Sequence, residues 1–273
     1  MFLAHRETDY PDAPNGSQRT GPGRPREQRM KISVILPAYN EQDNLAPTVE
    51  RSIEALRERF EDFELIVLDD ASTDRTLQVA RELAARHPQM RVLPNERNLG
   101  QGLSQLRGFR EARFELVIHN GVDYPFDFRD LDKMLPLLDE ADIVVAARTS
   151  RPGYTVYRRI LSWVNRMLLR ALFPLRLSDY NFVQLYRRET LQVVGDVMAT
   201  SAGFVVPEIL FRARDLGYRI RQTPIEYHRR QRGVATVGNP RVVWRSFCDL
   251  FAFWWARARG RTARRPRDSA SRR

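Results

Sequence analysis

Two short apolar runs, each ending in a polar turn, constrain this chain most. They are KISVILPAYNE over Lys31–Glu41 and LIVLDDASTD over Leu65–Asp74. Each half reads as a strand that delivers carboxylates or amides at its C-terminal end. In an open α/β sheet that end is where ligands bind. The pair predicts a nucleotide site built from the ends of two neighbouring parallel strands.

The pattern continues beyond them. Strands are predicted at 32–36, 64–68, 90–93, 115–119 and 142–146. Helices are predicted between them at about 42–59, 74–87, 101–113 and 128–139. Such alternation argues a mostly parallel sheet with helices on both faces. Glu41 and Asp74 fall near helix N-termini, where carboxylates suit the dipole. After 150 the pattern changes. A helix over 155–173 carries Arg158, Arg159, Arg166 and Arg170 among apolar residues. Short strands at 181–187 and 219–226 flank a helix at 204–216.

Charge and cysteine usage exclude several classes. The net charge is +11, but Arg257–Arg273 holds eight Arg and one Asp, +7 of that total. The remaining 256 residues carry only +4, so the fold as a whole is not expected to grip nucleic acid. A tail of this kind suits an anionic membrane surface. The single Cys248 rules out a disulfide framework or a cysteine zinc site within one chain and fits a reducing, cytoplasmic setting. No stretch of about 18 apolar residues is present, so attachment to a membrane is expected to be peripheral. Residues 1–29 are expected to be disordered, 30–240 to form the folded domain, 241–256 an amphipathic aromatic helix and 257–273 a basic disordered tail. The aromatic helix suits either core packing, a dimer interface or the headgroup region of a bilayer.

Three motifs in this order and spacing resemble family 2 glycosyltransferases of the GT-A fold: PAYNE at 37–41, LDDASTD at 68–74 and NLGQGLSQLRGFREA at 98–112. The later half resembles the polyprenyl-phosphate sugar transferase branch, which includes dolichyl-phosphate mannosyltransferases. That likeness is carried by AAR at 146–148, Asp179, YRR at 186–188, GF at 203–204, Glu208, PIEY at 224–227 and the arginine run before Gly233. The resemblance implies an α/β GT-A domain with a mostly parallel central sheet flanked by helices. It also implies inverting transfer of a hexose from a GDP-mannose or UDP-glucose type donor onto a polyprenyl phosphate at the cytoplasmic membrane face.

The resemblance assigns roles to residues. Pro37, Ala38, Tyr39 and Glu41 line the base and ribose, and Asp69 or Asp70 accepts from a base N–H. An ordinary strand-to-helix turn with Asp74 as N-cap explains the same segment without a ligand. Asn98, Gly100 and Gly102 form a turn where a backbone approaches phosphate at a helix N-terminus. Gly108 inside the next helix costs about 1 kcal/mol relative to Ala unless close packing requires it.

Relatives place Asp-x-Asp after the fourth strand to hold a divalent cation. Here Gly121-Val122-Asp123 stands there, with Val122 counted among the nucleotide contacts and Asp123 as the remaining carboxylate. Mg²⁺ or Mn²⁺ is therefore expected on Asp123 with substrate phosphates and water, with Asn120 or Asp127 as helpers. Arg158, Arg159, Arg229 and Arg230, with Arg232 and Ser162, are expected to hold the attacking phosphate. Further departures are Gln184, where the family has Arg, and Gly233–Val237, which lacks the family's Lys. Two alternatives stay open. One is transfer to a polysaccharide or small-molecule hydroxyl, with Asp179 or Glu208 as base. The other is a non-catalytic nucleotide-sugar-binding scaffold.

Overall fold

The computed structural model describes residues 30–150, 155–194, 197–201, 203–227 and 240–262. The segments expected to be disordered at 1–29 and from 263 onward lie outside the described residues, as do Arg229, Arg230, Arg232 and Gly233–Val237.

The elements follow in order: β1 (Ile32–Ala38), α1 (Gln42–Arg57), β2 (Phe63–Asp69), α2 (Thr76–Arg86), β3 (Met90–Pro94), α3 (Gln101–Glu111), β4 (Leu116–His119), α4 (Leu131–Met134), β5 (Ile143–Arg148), α5 (Val156–Leu172), β6 (Gln184–Arg187), α6 (Arg188–Val194), α7 (Val205–Asp215), β7 (Ile220–Ile225) and α8 (Pro240–Ala258). The seven strands are ordered β3-β2-β1-β4-β6-β5-β7. β1 pairs in parallel with both β2 and β4, and β5 pairs in parallel with β7. Only β6 runs against its neighbours. The chain moves outward from β1 to β3 and then returns to β4 on the other side of β1. That reversal opens a crevice at the carboxyl ends of β1 and β4.

β1 and β2 are buried on both faces, which explains why they read as unbroken apolar runs. One face of the sheet packs α1, α2 and the α4 region through Leu45, Val49, Leu56, Leu83 and Leu131. The other packs α3, α5, α7 and α8 through Phe109, Leu169, Phe211 and Phe253.

Three details differ from the sequence reading. The helix expected over 128–139 is a four-residue α4 between 3₁₀ turns at Phe128–Asp130 and Leu135–Asp139. Pro136 lacks the N–H that a continuous helix needs and clashes with the preceding turn. The strand expected over 181–187 starts at Gln184 and is antiparallel. Its entry is fixed by Asp179, which Arg148 at the end of β5 holds with bonds of 2.6 and 3.0 Å, so the chain must descend from the ligand edge. The start of the expected basic tail belongs to the packed fold. Arg257 donates twice to Asp215, and Thr262 is buried with its carbonyl accepting from Arg212.

Gly108 has the close packing that its place in a helix demands. A Cβ there would fall inside van der Waals contact of Ile35 Cγ2 and lie 2.8 Å from Leu68 Cδ1. Both partners are buried sheet residues. Overpacking costs about 1–3 kcal/mol, against roughly 1 kcal/mol gained in helix propensity. Gly108→Ala is therefore expected to lower the denaturation midpoint by the equivalent of up to about 2 kcal/mol. An unchanged or raised midpoint would show that α3 lifts off the sheet freely.

Candidate active site at the carboxyl edge of the sheet

Three turns at this edge carry non-glycine residues in the left-handed region: Asn40 after β1, Ala71 after β2 and Tyr124 after β4. Such strain persists only where surrounding bonds over-determine it, and it collects at functional sites. The bonds are present. Asn40 N donates to Ser72 Oγ at 3.1 Å, and Thr73 N donates to Asn40 Oδ1 at 2.8 Å. Glu41 N donates to Thr76 Oγ1, and Gln42 N donates to Asp74 Oδ2. The entries to α1 and α2 are thus zipped together. Burial works to raise the Asp74 carboxyl, but hydrogen bonds from Thr76 and Gln42 outweigh it and hold it below the usual range.

The two carboxylates at the end of β2 do different work. Asp70 accepts from Asn95 Nδ2, Leu99 N and Ser104 Oγ on Oδ1, and from Gly100 N on Oδ2, each at 2.8 Å. It is buried and fully used in shaping the β3–α3 turn. Gly100 N also donates to Asn98 Oδ1, and Gly100 sits at φ +83° with open space around it. Its requirement is conformational rather than steric. Gly102 is buried in the first turn of α3. Asp69 Oδ2 accepts from Ser72 N, while Oδ1 is buried without a hydrogen-bond partner among the described residues. A buried carboxylate oxygen with spare accepting capacity suits a donor that arrives with a ligand. Pro37 and Ala38 lie in register with Leu68 and Asp69, and Tyr39 is exposed beside them. Glu41 Oε2 accepts from Asn44 Nδ2.

The β4 turn holds the expected cation ligand. Asn120 donates to the Phe126 carbonyl and accepts from Gly121 N, so it builds the turn. Asp127 accepts from Arg129 N and from the Tyr124 hydroxyl. The Tyr124 phenol is pushed up to about 12 by burial and then by Asp127, so it stays a donor. The Val122 carbonyl accepts from Thr48 Oγ1, which ties the turn to α1. Asp123 is half-buried, and its Oδ1 lies over Gly121, where a Cβ would collide with it. No group of three His, Cys, Asp or Glu is gathered among the described residues. A single hard carboxylate fits a divalent cation that brings phosphate and water ligands with it.

Across the crevice, Arg148 pairs with Asp179 and faces the rings of Phe182 and Tyr227 at 5.0 and 5.9 Å. Arg148 reads from the sequence only as part of the AAR motif, because its partner lies 31 residues on. Glu208 is buried in α7 and accepts from Met198 N, Ala199 N and Arg212 Nε. Arg159 is exposed in the first turn of α5, with Ser162 half-buried one turn on. Arg158 lies in the same turn, and its side chain is outside the described residues, as is His228.

Comparison with known proteins follows from this geometry. Residues 33–202 match the sequence profile described as Glycosyl transferase family 2. The chain is 30% identical over 236 residues to a dodecaprenyl-phosphate galacturonate synthase of Rhizobium johnstonii, covering 82% of this chain and 67% of that protein. It is 29% identical over 214 residues to an undecaprenyl-phosphate mannosyltransferase of Micrococcus luteus, covering 75% of this chain and 86% of the relative. Glucosyl-3-phosphoglycerate synthase of Mycobacterium tuberculosis, solved with Mn²⁺, UDP and glucosyl-3-phosphoglycerate, superposes with a TM-score of 0.62. Its identity is 22%, over 83% of this chain and 80% of that one. At this identity the likeness establishes the fold.

Two outcomes follow from the site. His119 sits edge-on to Phe109, and its enclosed Nε2 has no hydrogen-bond partner among the described residues. Burial depresses its pKa to about 3 from 6.5. The unfolded chain therefore binds the proton first, and stability present above pH 6.5 is lost as pH falls toward 3. The slope is at most about 1.4 kcal/mol per pH unit. His119→Phe and His119→Gln are expected to lose less melting temperature between pH 8 and pH 5 than the natural chain; equal losses would refute the assignment. Gly121→Asp forces the Asp123 side chain to rotate and adds a second carboxylate. Mn²⁺ affinity measured calorimetrically with nucleotide present is expected to rise about tenfold. No change would separate Asp123 from cation binding.

Proposed function

Because this chain belongs to glycosyltransferase family 2 and is a glycosyltransferase of the GT-A fold, we propose that its acceptor is a polyprenyl phosphate. The sugar is a hexose taken from a GDP-mannose or UDP-glucose type donor with inversion, at the cytoplasmic face of a membrane. The observation that carries this reading is the state of the two candidate bases. A hydroxyl acceptor needs a carboxylate to take its proton. Asp179 is committed to Arg148, and Glu208 to Arg212 and two backbone amides. A phosphate monoester needs no such base, since its second pKa is about 6. The names of the two relatives point to the same acceptor class.

In this reading Pro37, Ala38, Tyr39, Glu41 and Asp69 seat the nucleoside, and Asp70 holds the turn of Asn98, Gly100 and Gly102 against the phosphates. Asp123 and Val122 lie at the diphosphate, with Asp123 as the residue that would hold Mg²⁺ or Mn²⁺. When bound, the cation supplies charge neutralisation to the departing diphosphate. A phosphate oxygen of the acceptor attacks the anomeric carbon. That bond forms as the carbon–oxygen bond to the donor's β-phosphate breaks, and the nucleoside diphosphate leaves with the electron pair. One in-line displacement inverts the centre. Arg158, Arg159, Arg229 and Arg230 hold the attacking dianion, so catalysis is positioning plus electrostatic stabilisation.

Transfer from labelled GDP-mannose and UDP-glucose to undecaprenyl phosphate, with undecaprenol as control, tests the reading. Product is expected only with the phosphorylated lipid, and the rate is expected to fall below about pH 6 as the acceptor takes up a proton. Asp123→Asn is expected to lower kcat about 10²-fold or more while metal-free nucleotide binding persists. Equal transfer to undecaprenol would move the assignment to a hydroxyl acceptor. Nucleotide-sugar binding without any transfer would favour the scaffold.

A further inference from the structure

All four tryptophans of this chain lie on two helices, α5 and α8. None is in the core: Trp163, Trp244, Trp254 and Trp255 are 55, 71, 36 and 53% exposed. Of the ten large hydrophobic side chains exposed among the described residues, eight belong to these helices. Globular proteins bury most of a tryptophan, so this concentration marks a surface with an occupant.

The arrangement on α8 is divided by face. Leu250, Phe253 and Ala256 pack inward, with Phe253 against Phe173, Phe204 and Phe211. Trp244, Cys248, Phe251 and Trp255 follow at steps of four, three and four residues, which puts them in one line on the opposite face. Arg241 and Arg259 are exposed along that line, and Arg245 is exposed at its flank, where its Nε also donates to the Thr200 hydroxyl at 3.0 Å; the Arg259 guanidinium lies 4.4 Å from the Trp255 ring centroid. The single acid of α8, Asp249, is turned inward and accepts from Thr200 N and Ser201 N. α5 repeats the design. Val156, Ile160 and Trp163 line one exposed face beside Arg159, and the helix contains no acid at all.

Both helices reach the acceptor side of the crevice. Asn165 of α5 donates to Asn181, whose own amide donates to the Gly203 carbonyl. Gly203 lies against Ser246 of α8, where a Cβ would collide with the hydroxyl. Asn181 N in turn donates to Asp179, the partner of Arg148.

We infer that the exposed faces of α5 and α8 form a docking surface for an anionic phospholipid leaflet, in which the tryptophans enter the headgroup region and the arginines meet lipid phosphates. Aromatic anchors flanked by cations without acids are what an in-plane helix requires. The charge pattern favours a bilayer over a second copy of the chain, because an isologous pairing would set arginine against arginine with no acid between. No described helix is long and apolar enough to cross a membrane, which agrees with a helix lying on one. The inference rests on the proposed lipid-phosphate acceptor only for its purpose, which is to present that phosphate at the crevice.

The test uses the full chain and vesicles of phosphatidylcholine, alone or with about a third phosphatidylglycerol. Because every tryptophan lies on this surface, intrinsic emission reports on it directly. Emission is expected to shift to the blue on anionic vesicles, with affinity at least about tenfold above that for the zwitterionic ones. The exposed double variants Trp244→Ser/Trp255→Ser and Arg245→Gln/Arg259→Gln are expected to lose at least about tenfold in vesicle affinity with unchanged melting. They are also expected to keep transfer to a short water-soluble prenyl phosphate while losing transfer to vesicle-embedded lipid. Natural emission that does not move, or variants that bind vesicles as the natural chain does, would overturn the inference. So would variants that change only the mass in solution, since a second copy would then cover the surface. Vesicle docking without transfer to any acceptor would leave the surface standing and sink the acceptor assignment instead.

Discussion

The Asp70 carboxylate accepts four hydrogen bonds, and the shape of the ligand edge depends on it. Its donors come from the end of β3, the loop beyond it and the first turn of α3. One side chain therefore fixes three pieces of chain that local preference alone would leave loose. Replacing it would take an acceptor from all four donors: Asn95 Nδ2 and Gly100 N would keep Ser104 Oγ and Asn98 Oδ1, while Leu99 N and the Ser104 hydroxyl would lose theirs at a desolvation cost. The neighbouring zip between the α1 and α2 entries works in the same way and holds Asn40 and Ala71 in conformations they would otherwise leave. With those turns fixed, Asp69 is the carboxylate left with an open oxygen. A preorganised edge of this kind pays its ordering cost during folding rather than at binding.

Acids and arginines are divided between two tasks. At Asp179, Glu208, Asp215 and Asp249 the acids are spent on joining elements. Those four positions brace the half of the sheet around β5, β6 and α7, where one strand runs backwards. The exposed halves of α5 and α8 carry arginines, and neither helix contributes an acid to its exposed face. The same division that removes candidate bases from the crevice leaves a cationic, aromatic rim around it. An acceptor that is both anionic and greasy suits the two features together, since each would be a liability for a neutral sugar hydroxyl in water.

The sequence made the first half of the fold legible because its signals are local. β1 and β2 are long apolar runs, and their turns carry the residue types that strand-end sites use. The glycine in α3 was legible too, since a helical glycine asks for close packing and Ile35 and Leu68 supply it. The direction of β6 was not legible, because four residues carry no directional signal and the Arg148–Asp179 pair that sets it spans 31 positions. Nor could the sequence divide labour between Asp69 and Asp70. Their difference lies in partners 25 to 34 residues away from Asp70. The aromatic helix stayed open between core and surface because α8 is apolar on both faces. Only packing shows that Phe253 is spent inward and Trp244, Phe251 and Trp255 are not.

The altered cation motif has a consequence for how the proposed reaction would be ordered. Two carboxylates at one site bind a divalent cation without help, whereas one carboxylate leaves most of the coordination shell to water and substrate. Asn120 and Asp127, the helpers expected from the sequence, are occupied in building the turn. The cation would then be held mainly by the donor's diphosphate, with Asp123 as its protein anchor. Binding of metal and of nucleotide sugar would be coupled, and by linkage each would raise the affinity of the other by the same factor. The site would carry little cation between turnovers, and release of the nucleoside diphosphate would carry the cation out with it. Gly121 would thus be compatible with the proposed catalysis for a physical reason: the carboxylate it lacks would serve the metal alone, and the donor's diphosphate would supply that charge.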